Sequence, residues 1–142
     1  MLHSIAGTAT VVGTSVRGIA SIFGTATFGF RLRQIALWNT TTTACTYAAV
    51  RFTNATGVGA ALTEVAHDIN PPQCTGFAGH TADGAVGSPF DVFELPAAIG
   101  GAAILTYGDG GILSPVGTAN GIGIILLTGT GQILRYKIAW EE

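Results

Sequence analysis

Charged side chains are scarce in this chain of 142 residues, in which six lysines and arginines and eight aspartates and glutamates make up 10% of the sequence. Ordinary soluble domains carry about 25% charged residues. The centres of protein interfaces are depleted in lysine, glutamate and aspartate. The composition therefore favours a protein whose surface is covered by copies of itself or by a larger assembly.

Three further absences narrow the classes of function. The net charge is −2, and the few cations are scattered along the chain, whereas a nucleic-acid-binding protein needs a clustered basic face. No apolar run reaches the roughly 18 residues of a membrane-spanning helix. The first residues lack the basic and apolar regions of a secretory signal peptide. We therefore expect neither a nucleic-acid partner nor a membrane partner.

Metal-binding and disulfide patterns are also missing. Cys45 and Cys74 do not make a disulfide framework, and two half-buried thiols are favoured over one bridge. His67, Asp68, Cys74 and His80 are irregularly spaced, whereas structural zinc sites use four ligands that usually come in close pairs. We expect no metal and no cofactor.

Catalytic motifs do not appear either. Residues 13–17 lack the final glycine of the G-x-S-x-G turn that presents a nucleophilic serine. Residues 108–111 are rich in glycine, but they have neither the lysine of a phosphate-binding loop nor a helix after them. They predict a tight turn, because glycine adopts positive φ at no steric cost. We expect a protein that is not an enzyme and has no catalytic residues.

What the sequence does contain is apolar–polar alternation with a period of two, the pattern of half-buried β-strands. It is clearest at residues 134–140, where large apolar side chains alternate with Arg135 and Lys137. Residues 121–128 form a continuous apolar run, which predicts a strand covered on both faces. Residues 129–131, Gly-Thr-Gly, predict a short turn that joins these two strands as a hairpin.

Further strands are predicted at residues 30–39, 45–53, 90–95, 102–107 and 112–116, and residues 60–65 predict a weak strand or a helical turn. The first two are predicted to pair as a hairpin, and 112–116 to pair back after the glycine turn. No segment longer than about ten residues has the 3.6-residue apolar period of an amphipathic helix. Nine or ten short strands separated by turns predict an all-β sandwich or barrel.

An internal repeat occupies the N-terminal part of the chain. The pattern S-I-x-G-T-A-T occurs at residues 4–10 and again at 21–27. Either these are two similar strands that pair with each other, or they form an extended arm that adds strands to a neighbouring subunit. The segment has few large anchors, so we predict an N-terminal arm at residues 1–28 and a β-sandwich domain at residues 29–142.

Four segments resemble proteins of bacteriophage structural gene clusters. They are residues 31–41 (RLRQIALWNTT), 61–64 (ALTE), 117–124 (GTANGIGI) and 139–141 (AWE). With the composition, they make the chain similar to small virion proteins of tailed bacteriophages, of the head decoration or cement type. The resemblance implies an all-β, single-domain antiparallel sandwich, jelly-roll-like, assembled as a homo-oligomer on the capsid exterior. Analogy with such proteins favours a trimer. The resemblance also implies synthesis in the host bacterial cytoplasm and binding to the major capsid protein.

We therefore expect a non-enzymatic structural protein of a phage particle, which stabilises contacts between major capsid subunits. A tail or head–tail connector protein is one alternative. A carbohydrate- or receptor-binding β module is another, with Trp38, Tyr47, Tyr107, Tyr136 and Trp140 as candidate aromatic platform. The predicted assembly contacts are Ile5, Val11, Ile22, Phe23, Phe28, Trp38, Tyr136 and Trp140.

Overall fold

Within residues 1–10, 17–128 and 132–142, which the computed structural model describes, there are twelve β-strands and no helix. This part of the chain accordingly offers no helical segment able to cross a membrane. The strands are β1 (Leu2–Thr10), β2 (Gly18–Phe23), β3 (Phe30–Asn39), β4 (Cys45–Phe52), β5 (Ala60–Ala61), β6 (Val65–Ala66), β7 (Thr75–Ala78), β8 (Asp91–Leu95), β9 (Ala102–Thr106), β10 (Ile112–Ser114), β11 (Gly121–Thr128) and β12 (Ile133–Glu141).

The strands form two antiparallel sheets that pack face to face. Sheet I has the spatial order β10–β3–β12–β1–β6, and β9 also pairs with β3. Sheet II has the order β5–β7–β2–β11–β4–β8. The predicted antiparallel sandwich is confirmed. The strand number exceeds the nine or ten predicted, because the segment predicted at 60–65 gives two short strands, β5 and β6, and β7 was not predicted.

The three predicted hairpins are wrong, because the two strands of each predicted hairpin do not pair with each other. β11 lies in sheet II and β12 in sheet I, and likewise β4 lies in sheet II and β3 in sheet I. β9 and β10 do not pair with each other but lie end to end along β3. A period-two pattern identifies a strand and its buried face, but it does not identify the neighbouring strand. The predicted turn at residues 129–131 lies outside the described residues.

The described part of the N-terminal segment lies inside the sandwich. β1 sits between β12 and β6, and β2 between β11 and β7, so the two copies of the repeat do not pair with each other. Ile5 and Ile22, one from each copy, are buried in the core. The predicted boundary between residues 28 and 29 therefore does not separate two units of the fold. The shortage of large side chains in this segment wrongly favoured an arm, because a few buried isoleucines are enough to hold these strands in the sandwich.

The main core fills the space between the sheets. Its largest fully buried side chain is Trp140, from the last strand. Both cysteines are free and buried in this core, with no disulfide between them. Other large members are Phe30, Leu32, Ile35, Leu37, Tyr47, Leu95, Ile122, Ile124 and Ile138.

A second apolar cluster covers the outside of sheet II. Phe23 and Phe52 from the sheet pack there with Val58 from the β4–β5 connection. The Phe23 ring also contacts the Phe77 ring edge-on, with 5.8 Å between the ring centres. The centre of sheet II is therefore covered on both faces. This explains the continuous apolar run of β11, whose predicted burial on both sides is confirmed.

A β-bulge in β3 explains why its apolar pattern changes half-way along. Ala139 and Trp140 of β12 pair with Gln34 and Leu32, which leaves Arg33 as the extra residue. A bulge shifts the alternation of side chains by one residue. Leu32 before it and Ile35 after it consequently both point into the core.

Close packing over Gly123 of β11 gives a testable prediction. A Cβ at this position would lie 2.5 Å from the carbonyl oxygen of Ala20 and 2.9 Å from a ring carbon of Phe52. We expect Gly123→Ala to lower the free energy of unfolding by about 1–3 kcal/mol through overpacking. Gly110→Ala is the matched control, because a Cβ there meets no atom within 4 Å. Urea unfolding of both variants measures the difference, and equal losses would contradict this account of the packing.

Candidate functional site

The outside of sheet I is the candidate site, because most of its side chains face solvent. Ala6, Thr8, Arg135 and Ile104 are exposed, whereas Ala36 is buried between its neighbours. We call this surface the outer face. It consists of Ala6 and Thr8 of β1, Ala36 and Trp38 of β3, Ala102 and Ile104 of β9, and Arg135 and Lys137 of β12.

The strand register places two cations, Arg135 and Lys137, at the centre of the outer face. Arg135 pairs with Trp38 of β3 on one side and with Thr8 of β1 on the other. Lys137 lies between Ala36 and Ala6 in the same way. Arg135, between the large Trp38 and the small Thr8, is exposed, and Lys137, between two alanines, is partly exposed.

A groove of about 750 Å³ lies at one end of the outer face. Trp38, Arg135 and Thr8 line it from the sheet, and Ile99 lines it from the β8–β9 connection. The Ile99 side chain is 73% exposed. An indole ring, a guanidinium group, a hydroxyl group and an aliphatic side chain therefore meet in one open depression.

The fold gathers cations that are scattered in the sequence. Arg31 and Arg33 of β3 join Arg135 and Lys137 on the outside of sheet I. Arg33 forms an ion pair with Glu141. The Arg31 guanidinium donates to the carbonyl oxygen of Gly110 at 2.6 Å, and that of Arg33 donates to the carbonyl oxygens of Gly108 and Asp109.

Those arginine contacts hold the glycine turn between β9 and β10 against the bulge of β3. The sequence signal for this cluster was present in two alternating pairs, Arg-Leu-Arg at 31–33 and Arg-Tyr-Lys at 135–137. What the sequence did not show is that β3 and β12 are neighbours.

Five of the eight predicted assembly contacts lie inside the molecule. Ile5, Ile22, Tyr136 and Trp140 are in the main core, and Phe23 is in the second cluster. Trp38 lies on the outer face, Phe28 is 44% exposed in the β2–β3 connection, and Val11 lies outside the described residues. The five buried side chains are not available to another subunit in this fold. They were predicted as contacts because alternation marks the buried face of a strand and does not distinguish the core from an interface.

The candidate aromatic platform does not form. Tyr47, Tyr136 and Trp140 are buried in the main core, and the Tyr107 hydroxyl is directed to Asp91, to which it donates at 2.8 Å. Burial, followed by this contact with Asp91, raises the pKa of Tyr107. Trp38 alone of the five lies on the outer face.

Two serine–histidine pairs were missed by sequence reasoning. Ser21 Oγ lies 2.8 Å from His80 Nε2, and Ser4 Oγ lies 2.9 Å from His67 Nε2. Ser21 and His80 are both buried, in the second cluster. Among the residues that the structure describes, neither histidine hydrogen-bonds a carboxylate, so neither pair extends to a catalytic triad.

The candidate zinc ligands of the sequence are not brought together. His67 lies beside Ser4 of sheet I, whereas His80 packs on the outside of sheet II against Phe52, with 5.2 Å between the ring centres. Cys74 is in the main core, where burial, followed by the charge of Glu142, raises its pKa to about 12. The described ranges contain no group of three or more histidine, cysteine or acidic side chains suited to a metal ion.

Comparison of this chain with models of protein families and with curated proteins gives no match.

Proposed function

We propose that this chain is a non-enzymatic structural protein of a tailed-phage particle, which decorates the capsid exterior and stabilises contacts between major capsid subunits. The observation that carries the proposal is the contrast between the two sheets. The chain covers the outside of sheet II with its own connections, except at the edge strand β8, but leaves the outer face of sheet I open around Arg135. Together with the scarcity of charge, that open face fits a molecule that works inside an assembly.

The order of the strands supports a jelly-roll arrangement for this sandwich. When the short strands β5, β6, β7 and β10 are set aside, sheet I has the order β1–β12–β3–β9 and sheet II the order β2–β11–β4–β8. Eight strands in this interleaved order are what two Greek keys rolled together produce. Jelly rolls are frequent in viral capsid proteins and also in lectins, so the topology agrees with the proposal without excluding sugar binding.

The charge pattern also supports a structural role. Arg17 pairs with Asp83 at 2.9 Å, Arg33 pairs with Glu141, and the Glu64 carboxylate accepts from the backbone N–H of Gly76 at 2.7 Å. These charges are used to hold the chain's own loops. They leave few ionic groups for chemistry on a small substrate.

Co-sedimentation with empty capsid shells tests the proposal, with shells assembled from the major capsid protein of the same phage. We expect wild-type protein to sediment with the shells and to raise their unfolding temperature. Arg135→Glu, on the outer face, should lose binding. The control Ser88→Glu/Thr118→Glu changes the net charge equally at exposed sites away from that face and should bind normally. Binding to tail tubes and not to shells would show that the protein belongs to the tail.

A carbohydrate-binding function is the second candidate, and the groove beside Trp38 favours it. Sugars stack on exposed indole rings, and Arg135 and Thr8 provide hydrogen-bond donors next to Trp38. Absence of shell and tail binding, together with glycan-array binding that Trp38→Ala abolishes, would replace the structural function with this one.

A further inference from the structure

An inventory of charged side chains shows which groups lack a partner within the molecule. In the described residues, Arg135 and Lys137 form no ion pair and no side-chain hydrogen bond, and the same holds for Glu94 and Asp109 among the acids. Asp109 lines a groove together with Arg33 and Lys137, so it already lies near cations. Glu94 is the remaining acid, and it lies on the other sheet.

Glu94 belongs to β8, an edge strand of sheet II. Both Glu94 and Val92 are exposed, and Val92 is exposed to 58%. The two residues point to the same side of the strand, about 7 Å apart, because side chains alternate along a strand. Edge strands with an exposed apolar residue are natural docking elements unless another chain covers them.

The outer face offers a matching pair of groups. Trp38 and Arg135 are direct neighbours across β3 and β12, and such cross-strand side chains are about 5 Å apart at their Cβ atoms. An aliphatic side chain packs on an indole ring, and a carboxylate pairs with a guanidinium group. Val92 and Glu94 therefore complement Trp38 and Arg135 in chemistry, and the long Arg135 side chain can span the difference between the two spacings.

A face-to-face dimer is the wrong geometry for this surface. A two-fold axis through the outer face would place Arg135 and Lys137 of one copy against the same residues of the other, because such an interface joins a patch to itself. Like charges at an interface are strongly unfavourable. Contact between two different patches avoids that repulsion.

We propose that the outer face binds β8 of a second copy, so that Glu94 of one copy lies against Arg135 and Lys137 of the next. Head-to-tail contacts of this kind close into a ring when the rotation permits. This inference rests on the proposed function: in the capsid-bound ring the neighbouring copy covers the open face, and Arg135→Glu loses shell binding because the ring does not form. Each copy then covers one neighbour with β8 and is covered by another on its outer face.

Charge reversal tests the contact on the purified full chain, with sedimentation velocity measured over a concentration series. We expect wild-type protein to self-associate, and Glu94→Arg and Arg135→Glu each to weaken association at least tenfold. The double variant Glu94→Arg/Arg135→Glu should restore it in part, because the swapped charges again face each other while Lys137 is unchanged. Asp68→Arg, which changes the charge of another exposed acid equally, should leave association unchanged. Circular dichroism confirms folding, and Glu94→Gln and Arg135→Gln provide milder variants.

Three results would overturn the proposed contact. In the first, the wild-type chain stays monomeric throughout the concentration series. In the second, Glu94→Arg does not affect association. In the third, the double variant fails to associate. Shell co-sedimentation separates this inference from the proposed function. Shell binding by a monomeric wild-type chain refutes the ring alone, whereas a ring that binds no shell refutes the capsid function alone.

Discussion

Trp140→Ala will lower the free energy of unfolding by about 3–5 kcal/mol, the loss typical of removing a buried aromatic side chain. Trp140 is fully buried between the sheets, where its ring lies 5.8 Å from that of His3. Its indole Nε1 donates to the Glu142 carboxylate at 2.9 Å. Domains of this size are stable by only about 5–15 kcal/mol, so this single change removes a large part of the total.

The expected loss of stability includes more than the cavity, because Glu142, which Trp140 contacts, also binds the segment before β7. Its carboxylate also accepts from the backbone N–H groups of Gln73 and Cys74, each at 2.8 Å. Burial alone would raise the pKa of Glu142, but hydrogen bonds from Trp140, Cys74 and Gln73 outweigh it and lower the pKa. The indole is therefore one of three donors that keep this partly buried carboxylate ionised and in place.

Trp38→Ala is the matched control for this experiment. Trp38 is half-buried on the outer face, so its removal should cost less than about 1 kcal/mol, measured by urea unfolding followed by far-UV circular dichroism. Trp140→Phe keeps most of the ring volume and should fall between the two. A Trp140→Ala variant as stable as Trp38→Ala would mean that Trp140 does not belong to the core.

The sequence predicted individual strands better than it predicted their neighbours. The alternation at residues 134–140 located β12 and its buried face, because a side-chain period of two depends only on the strand itself. The pairing of β12 with β1 and β3 depends on residues about 130 and 100 positions away. A short glycine connection favours a hairpin, but β11 and β12 lie in opposite sheets.

The candidate site was predictable only in part, for the same reason. Trp38 was singled out from the sequence and lies on the outer face. Arg135 and Lys137 were assigned correctly to the polar side of a strand, but their position at the centre of the outer face depends on β1 and β3. His80 was considered only as a candidate zinc ligand, and its burial was not predicted, because its neighbours Ser21 and Phe52 lie far from it in sequence.

The stability of the protein will fall by about 3 kcal/mol between pH 7 and pH 4 because of His80 alone. Burial, followed by the charge of Arg17, lowers the pKa of His80 to about 4 from an ordinary value of 6.5. The unfolded chain therefore takes up a proton below pH 6.5, whereas the folded chain resists it down to about pH 4. The contribution of neutral His80 is fully present above pH 6.5 and is lost as the pH falls through this window.

The surroundings of His80 explain why its protonation is unfavourable. Nε2 hydrogen-bonds with Ser21, and Nδ1 has no hydrogen-bond partner within the part of the chain that the structure describes. The nearby Arg17 adds positive charge, although Asp83 pairs with it. An imidazolium here would be a buried charge with a donor that no acceptor satisfies.

Unfolding measured in urea at a series of pH values distinguishes His80 from the other acid-sensitive groups. His80→Gln keeps an amide near Ser21 and should flatten the dependence between pH 6.5 and pH 4. His67→Gln, which replaces an exposed histidine in an equivalent bond to Ser4, should leave it intact. Carboxylates with a lowered pKa, such as Glu142, lose their contribution only below about pH 4.5 and so act mainly at the acid end. If the slope in His80→Gln is as steep as in the wild-type protein, another group causes the acid sensitivity.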